Sequence, residues 1–250
     1  DMVRIGKYKS APETYTQNQP SEPAVEEADE YLDDVYASMI STVQTLRKFK
    51  TPEAARKVIE RGPFTAPEAV ANQLVDESVP KDMLEAKLYE MIGSHVFFDT
   101  EYHNDTIRHR RYIDSPAVAV VHITGDIVDG KSVDIPIINI KMTGAQTLTE
   151  TLRAIGADNR IRAVVLRINS PGGSAMGSDI LWREVAALRR EKPVIVSMDS
   201  VAASGAYYIA SAADKIYANA VTLTGSIGIY YGKTDLSALL ERIGVNAHTF

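Results

Sequence analysis

The sequence has no cysteine, so disulfide cross-links, thiol catalysis and thiolate metal sites are all excluded. Its absence leaves the redox compartment open. No apolar run approaches the roughly 20 residues needed to cross a bilayer, and the opening DMVRIGKYKS lacks the layout of a signal peptide. Basic blocks are scarce as well: nothing extends beyond the tetrad from Arg108 to Arg111, and the net charge is -6, which argues against nucleic acid as a partner. Histidines number five. His95, His103 and His109 fall in a polar stretch without periodicity, His122 lies on an apolar strand and His248 close to the last residue, so no spacing among them suggests a metal site. No metal or other cofactor is expected.

What the chain does contain is enough apolar material, 45% of 250 residues, to bury a substantial core in one or two structural units. Val3 and Ile5 alternate with polar residues as a half-buried strand leading to Lys9, and the polar stretch Pro12 to Pro23 reads as a loop. The 3.6-residue period predicts a helix from Glu22 to Lys50 with Leu32, Val35, Met39, Val43 and Leu46 on one face. Thr51 before Pro52 is an N-cap signal, Gly62 a stop, and Thr65 with Glu68 a capping box. Ser78 to Gly93 is expected as one more amphipathic helix, and Ser94 to Pro116 as a linker. Beyond it, strands and helices alternate: a strand from Ala117 to Ile123, an irregular stretch near Ile135 to Gly144, a helix to about Ile155 and a strand entered at Ile161. This is the pattern of an α/β layered unit.

The most informative stretch runs from Val164 to Ser204. Val164, Val165, Leu166 and Ile168 form a β-rich run that stops at Asn169-Ser170-Pro171-Gly172-Gly173, where proline fixes φ and glycines open conformations closed to other residues. Amides in such a bare turn can point at a developing negative charge, which is what an oxyanion hole requires. A helix follows, and then a strand from Pro193 to Met198. A right-handed crossover makes the two strands parallel, so the exit turn Ala202-Ala203-Ser204-Gly205-Ala206 opens at the same sheet edge as the glycine turn. After a helix from Gly205 to Ala213 come a strand from Lys215 to Ala218, the turn Thr224 to Gly228, a helix near Asp235 to Ile243 and a last strand at Phe250.

INSPGGS, the AASGAYYIASAAD run and LTGSIGI, together with Gly6-Lys7-Tyr8-Lys9-Ser10-Ala11, resemble the bacterial signal peptide peptidase A family, also called protease IV, serine proteases of the crotonase/Clp fold. Phe64 to Asp76 resembles that family's closing helix and strand. The family's long form has two similar halves in tandem. The resemblance therefore implies that the chain is an internal fragment, with 1–115 the C-terminal part of a first crotonase-like unit plus linker and 116–250 the N-terminal part of a second.

A serine nucleophile needs a base, and no histidine lies between Ser204 and His248. A lysine can serve if burial keeps it neutral. Lys7, Lys9, Lys215 and Lys233 are candidates, and strand periodicity alone does not choose between Lys7 and Lys9. The resemblance does: its YKSA context matches Lys9 to the family's general base, Ser204 to the nucleophile and Ser226 to a serine that orients the lysine. Gly173 and Gly205 are the expected oxyanion amides, with Gly172 as a neighbour. The resemblance further implies signal peptides as substrates, a tetramer-like homo-oligomer in which the site forms where two crotonase-like units meet, so that the fragment alone is inactive or poorly soluble, and anchoring to the bacterial inner membrane through a segment outside this chain, with the catalytic part periplasmic. The competing expectation is an assembly module, or an acyl-thioester enzyme of the same fold, which would need the glycine turn but neither Ser204 nor Lys9.

Overall fold

In a computed structural model of the protein, residues 2–94, 116–138, 140–232 and 236–244 are described. The expected linker with His95, His103, His109 and the Arg108 to Arg111 tetrad, together with Lys233 and the final strand with His248, lies outside them. The chain divides into two compact units, one made of Asp1–Asp33 and Ile113–Phe250, the other of Asp34–Tyr112. By packing, the first thirty-three residues go with the C-terminal stretch rather than with the segment that follows them in sequence.

In chain order, the N-terminal elements are β1 (Met2–Arg4), α1 (Glu13–Thr16), α2 (Glu22–Leu46), α3 (Pro52–Ile59), α4 (Ala66–Ala71) and α5 (Leu84–Ile92). Local signals set most of these boundaries. Thr51 accepts a hydrogen bond from the Ala54 amide at 3.2 Å, with Pro52 opening α3 where a missing N–H costs nothing. The Thr65 amide donates to the Glu68 carboxylate at 2.8 Å at the start of α4.

Four expectations shift here. The strand expected to reach Lys9 ends at Arg4, because Gly6 turns the chain at φ +83°. The helix expected from Ser78 begins at Leu84, after Pro80 and a 3₁₀ turn at Lys81–Met83. The closing strand expected before Asp76 is absent: α4 ends at Ala71 and turns follow. Along α2, Ile40 is the buried side chain, while Leu32, Met39 and Leu46 of the expected face are exposed.

The remaining elements are β2 (Ala117–Thr124), β3 (Asp126–Val128), β4 (Val133–Ile135), β5 (Ile140–Gly144), α6 (Ala145–Ala157), β6 (Ile161–Ser170), α7 (Ala175–Leu188), β7 (Val194–Ala203), α8 (Gly205–Ala210), β8 (Lys215–Tyr217), β9 (Leu223–Gly225), β10 (Tyr230–Gly232) and α9 (Ser237–Arg242). The stretch expected as irregular before Gly144 contains β5, which pairs parallel with β3 and antiparallel with β4. The helix expected to run to Ala213 stops at Ala210. The principal sheet has the order β2-β6-β7-β8, with β9 also pairing β7, and all these pairings are parallel. This is the α/β layering that the alternating pattern predicts.

The period of two divides the sheet into a covered and an open face. Ile123, Val164, Leu166, Ile168, Val194 and Val196 are buried and pack with Leu152 of α6, Leu181 and Val185 of α7 and Ile209 of α8. On the opposite face, Val118 and Val120 of β2 are each 58% exposed. Truncating a side chain at the centre of the covered face removes its dispersion contacts and leaves a cavity. Leu166→Ala should destabilise this unit by about 2–5 kcal/mol, read as a lower thermal midpoint, whereas an unchanged midpoint would show that the helix-covered face is not the core.

Candidate active site

Three adjacent parallel strands, β6, β7 and β9, deliver the site at their carboxyl ends. Beyond β6 lies the Pro171-Gly172-Gly173 turn, and beyond β7 lies Ser204 at φ +53° and ψ -121°. Beyond β9 lies Ser226 at φ +48°. Register places Ser170 opposite Ala202 and Ala203 opposite Gly225, so the three exits stand side by side. Positive φ is costly for a residue with a Cβ and persists only where its surroundings hold it. At Ser204 the holding bonds are its own amide to the Gly225 carbonyl at 2.8 Å and the Tyr208 amide to its carbonyl at 2.9 Å.

The glycine turn is stapled to β3. The Ile127 amide donates to Gly172 O and the Ser174 amide to Ile127 O, both at 2.8 Å. A Cβ on Gly173 would lie 2.3 Å from the Ile127 carbonyl oxygen, and one on Gly172 would lie 2.7 Å from the Gly205 amide nitrogen, so both positions exclude a side chain. Among the described residues, the amides of Gly173 and Gly205 have no protein acceptor. Those two N–H groups are free to bind a ligand oxygen beside Ser204.

Lys9 enters from the far end of the sequence. β1 pairs antiparallel with β10, Arg4 opposite Tyr230, and the Ile5 amide donates to Ile229 O at 3.3 Å. This two-stranded ribbon ties the segment before Lys9 to the segment after Ser226. The Lys9 amine lies 3.1 Å from Ser204 Oγ, 3.0 Å from Ser226 Oγ and 2.6 Å from Ser226 O, all within one chain. Lys9 is only 6% exposed, and burial pushes its amine below the ordinary 10.5, against the field of Glu27, which acts in the opposite direction. Lys7 points elsewhere: its ammonium stands 3.8 Å from Glu26 and over the Tyr8 ring, partners that hold it charged. Lys215 is exposed on β8. The structure thus brings together Lys9, Ser204, Ser226, Gly173 and Gly205, and it leaves Lys7, Lys215 and His122 outside the cluster.

These groups line a cleft of about 860 Å³ whose walls include Tyr207, Tyr208, Ile227 and Tyr230. Ser178 of α7 is also there, buried and donating to the Ser174 carbonyl at 2.7 Å; a Cβ on Gly205 would meet its hydroxyl at 2.2 Å. Sequence reasoning did not single out Ser178, whose one local signal is its place a helical turn after the N-cap Ser174. No group of three or more His, Asp or Glu among the described residues could hold a metal ion.

Residues 186–250 match the sequence profile of peptidase family S49. Nearly the whole chain, 98%, aligns with "Protease 4" of Haemophilus influenzae at 35% identity and covers 42% of that protein. It aligns over 99% of its length with the chloroplastic "Serine protease SPPA" of Arabidopsis thaliana at 32% identity, covering 37% of it. The chain therefore spans about two fifths of the length of these relatives. Among solved structures, a ClpP1 mutant from Listeria monocytogenes is similar over 38% of this chain and 46% of its own, at 21% identity and a TM-score of 0.29. The site's sequence motifs thus lie inside an alignment to proteases that runs almost end to end, and residues 186–250 carry the match to peptidase family S49.

Proposed function

We propose that the chain carries the catalytic centre of a serine endopeptidase in which Ser204 is the nucleophile and Lys9 the general base. The observation that carries this reading is the Lys9 amine 3.1 Å from Ser204 Oγ in a buried setting. A neutral amine has two hydrogens and one lone pair. Its hydrogens match Ser226 O and Ser226 Oγ, which leaves the lone pair for the Ser204 hydroxyl.

In the reaction, Lys9 takes the Ser204 proton as Oγ attacks the peptide carbonyl carbon, and the resulting oxyanion accepts from the Gly173 and Gly205 amides. Collapse breaks the C–N bond while the Lys9 ammonium returns its proton to the leaving amine. A water then gives a proton to Lys9, attacks the acyl-serine, and regenerates Ser204. Ser226 keeps the amine aimed throughout. The aromatic and aliphatic cleft walls suit an extended peptide with apolar side chains, such as a cleaved signal peptide. The same proposal includes the tandem-half origin of 1–115 and 116–250, assembly as a homo-oligomer, and work at the periplasmic side of a bacterial inner membrane.

In the intact protein, Ser204→Ala and Lys9→Ala should each abolish fluorophosphonate labelling and peptide hydrolysis, and Lys7→Ala should leave both unchanged. Hydrolysis of a peptide ester by Ser204→Ala at the normal rate would overturn the reading. Activity should rise with pH as Lys9 loses its proton, along a limb whose midpoint lies below 10.5 because burial favours the neutral amine. A limb near 6.5 that vanishes on mutating His122 or His248 would instead make the enzyme histidine-dependent. Gly173→Ala keeps the N–H but its Cβ would collide with the Ile127 backbone and displace the amide, so kcat should fall by about 10²–10³-fold as the oxyanion donor is misplaced, and retention of full kcat would remove that amide from the mechanism.

A further inference from the structure

A chain of three side chains that the reaction does not use, Ser21, Glu13 and Arg4, ends on the backbone of Lys9, which Arg4 alone of the three touches. Arg4 Nη1 donates to the Lys9 carbonyl at 3.2 Å and also to the Glu13 carboxylate. Glu13 in turn accepts from the Ser21 amide at 3.0 Å and from the Ser21 hydroxyl at 2.7 Å. Its residue is 6% exposed, as Lys9 is. A carboxylate taken out of water is costly unless several donors satisfy it, and here three do. They hold its carboxyl below the usual carboxylate range, the Ser21 amide contributing most. The chain around Lys9 belongs to neither helix nor strand and has few backbone bonds of its own, chiefly the Ser10 amide to Tyr8 O at 2.9 Å and the Glu13 amide to Ser10 O at 2.8 Å.

We propose that Arg4 and Glu13 are positioning residues for Lys9. Arg4 is seated by the pairing of β1 with β10 and by the buried Glu13 carboxylate, and its guanidinium holds the Lys9 carbonyl, so the long lysine side chain starts from a fixed point. That point lets the amine reach Ser204 and Ser226 together. The clamp also explains why Lys9 rather than Lys7 turns inward, since among the described residues the main-chain carbonyl that Arg4 engages is that of Lys9. A displacement of about 1 Å at a reacting group costs on the order of 10²-fold in rate, so a loosened Lys9 backbone would show directly in acylation. The proposal rests on the Ser/Lys reading.

The test uses Glu13→Ala, Glu13→Gln, Arg4→Gln and the Arg4→Gln/Glu13→Ala pair in the intact protein. The readouts are the fluorophosphonate labelling rate at Ser204 per folded molecule, its pH profile, and kcat and KM for a peptide substrate. Glu13→Ala and Arg4→Gln should each slow labelling about tenfold or more, acting on kcat with KM little changed, and should move the alkaline limb upward as Lys9 gains water. Glu13→Gln, which keeps an acceptor oxygen, should stay within about threefold of the native rate. The pair should be no slower than the slower single variant, because both substitutions break one clamp. Native labelling rates and an unmoved limb in Glu13→Ala and Arg4→Gln, whatever their thermal midpoints, would overturn the clamp and leave only a structural ion pair. Should Glu13→Ala fail to fold, Arg4→Gln, at a partly exposed position, decides alone. A Lys9→Ala variant that labels at the native rate would overturn the Ser/Lys reading itself, while an inert Lys9→Ala beside fully active Arg4→Gln and Glu13→Ala would overturn the clamp only.

Discussion

Burying a lysine amine disfavours its charged form unless an anion accompanies it, and among the described residues Lys9 has no carboxylate within hydrogen-bond reach. Its neighbours are two hydroxyls and a carbonyl. Around it stand the ribbon that brings Lys9 in, the strained exits that present Ser204 and Ser226, and the walls of the cleft they line. Exposing the amine to water would move it back towards the ordinary 10.5, because burial is what lowers it.

The sheet solves a placement problem that side chains alone could not. Parallel strands end on the same side, so three loops of ordinary length deliver amide donors, a hydroxyl and a second hydroxyl in a row, at separations set by strand spacing. Glycine is required where backbones touch. Gly172 lies against Gly205 and Gly173 against Ile127, so the turn's lack of side chains reflects crowding as much as conformational freedom.

Much of this was legible. The β-rich run into SPGG, the crossover helix and the small-residue turn at Ser204 announce themselves locally, as do the caps at Thr51 and Thr65, because each depends on neighbours in sequence. Lys9 was not legible from strand pattern: the period of two fails once Gly6 breaks the strand, and only resemblance separated Lys9 from Lys7. Arg4 and Glu13 carry no local signal at all, since a lone arginine and a lone glutamate read as surface charge until the fold closes over them. The covered part of α2, at Ile40, is hidden from the sequence for a similar reason, because a helical period says that a face exists but not which part of it finds a partner.

The ribbon of β1 and β10 has three residues on each side, much of it exposed, while the sheet it serves is held by a continuous apolar core. Short two-stranded ribbons are marginal, and segments with few buried contacts open at lower free energy than the core. Lys9 and Ser204 are separated by 195 positions, so bringing them together carries a chain-closure entropy cost that neighbours in sequence do not. The Lys9 amine is therefore tethered to Ser204 through the most easily opened part of the unit: the ribbon can part while the sheet and the turn at Ser204 stay folded, so the two groups can separate without global unfolding.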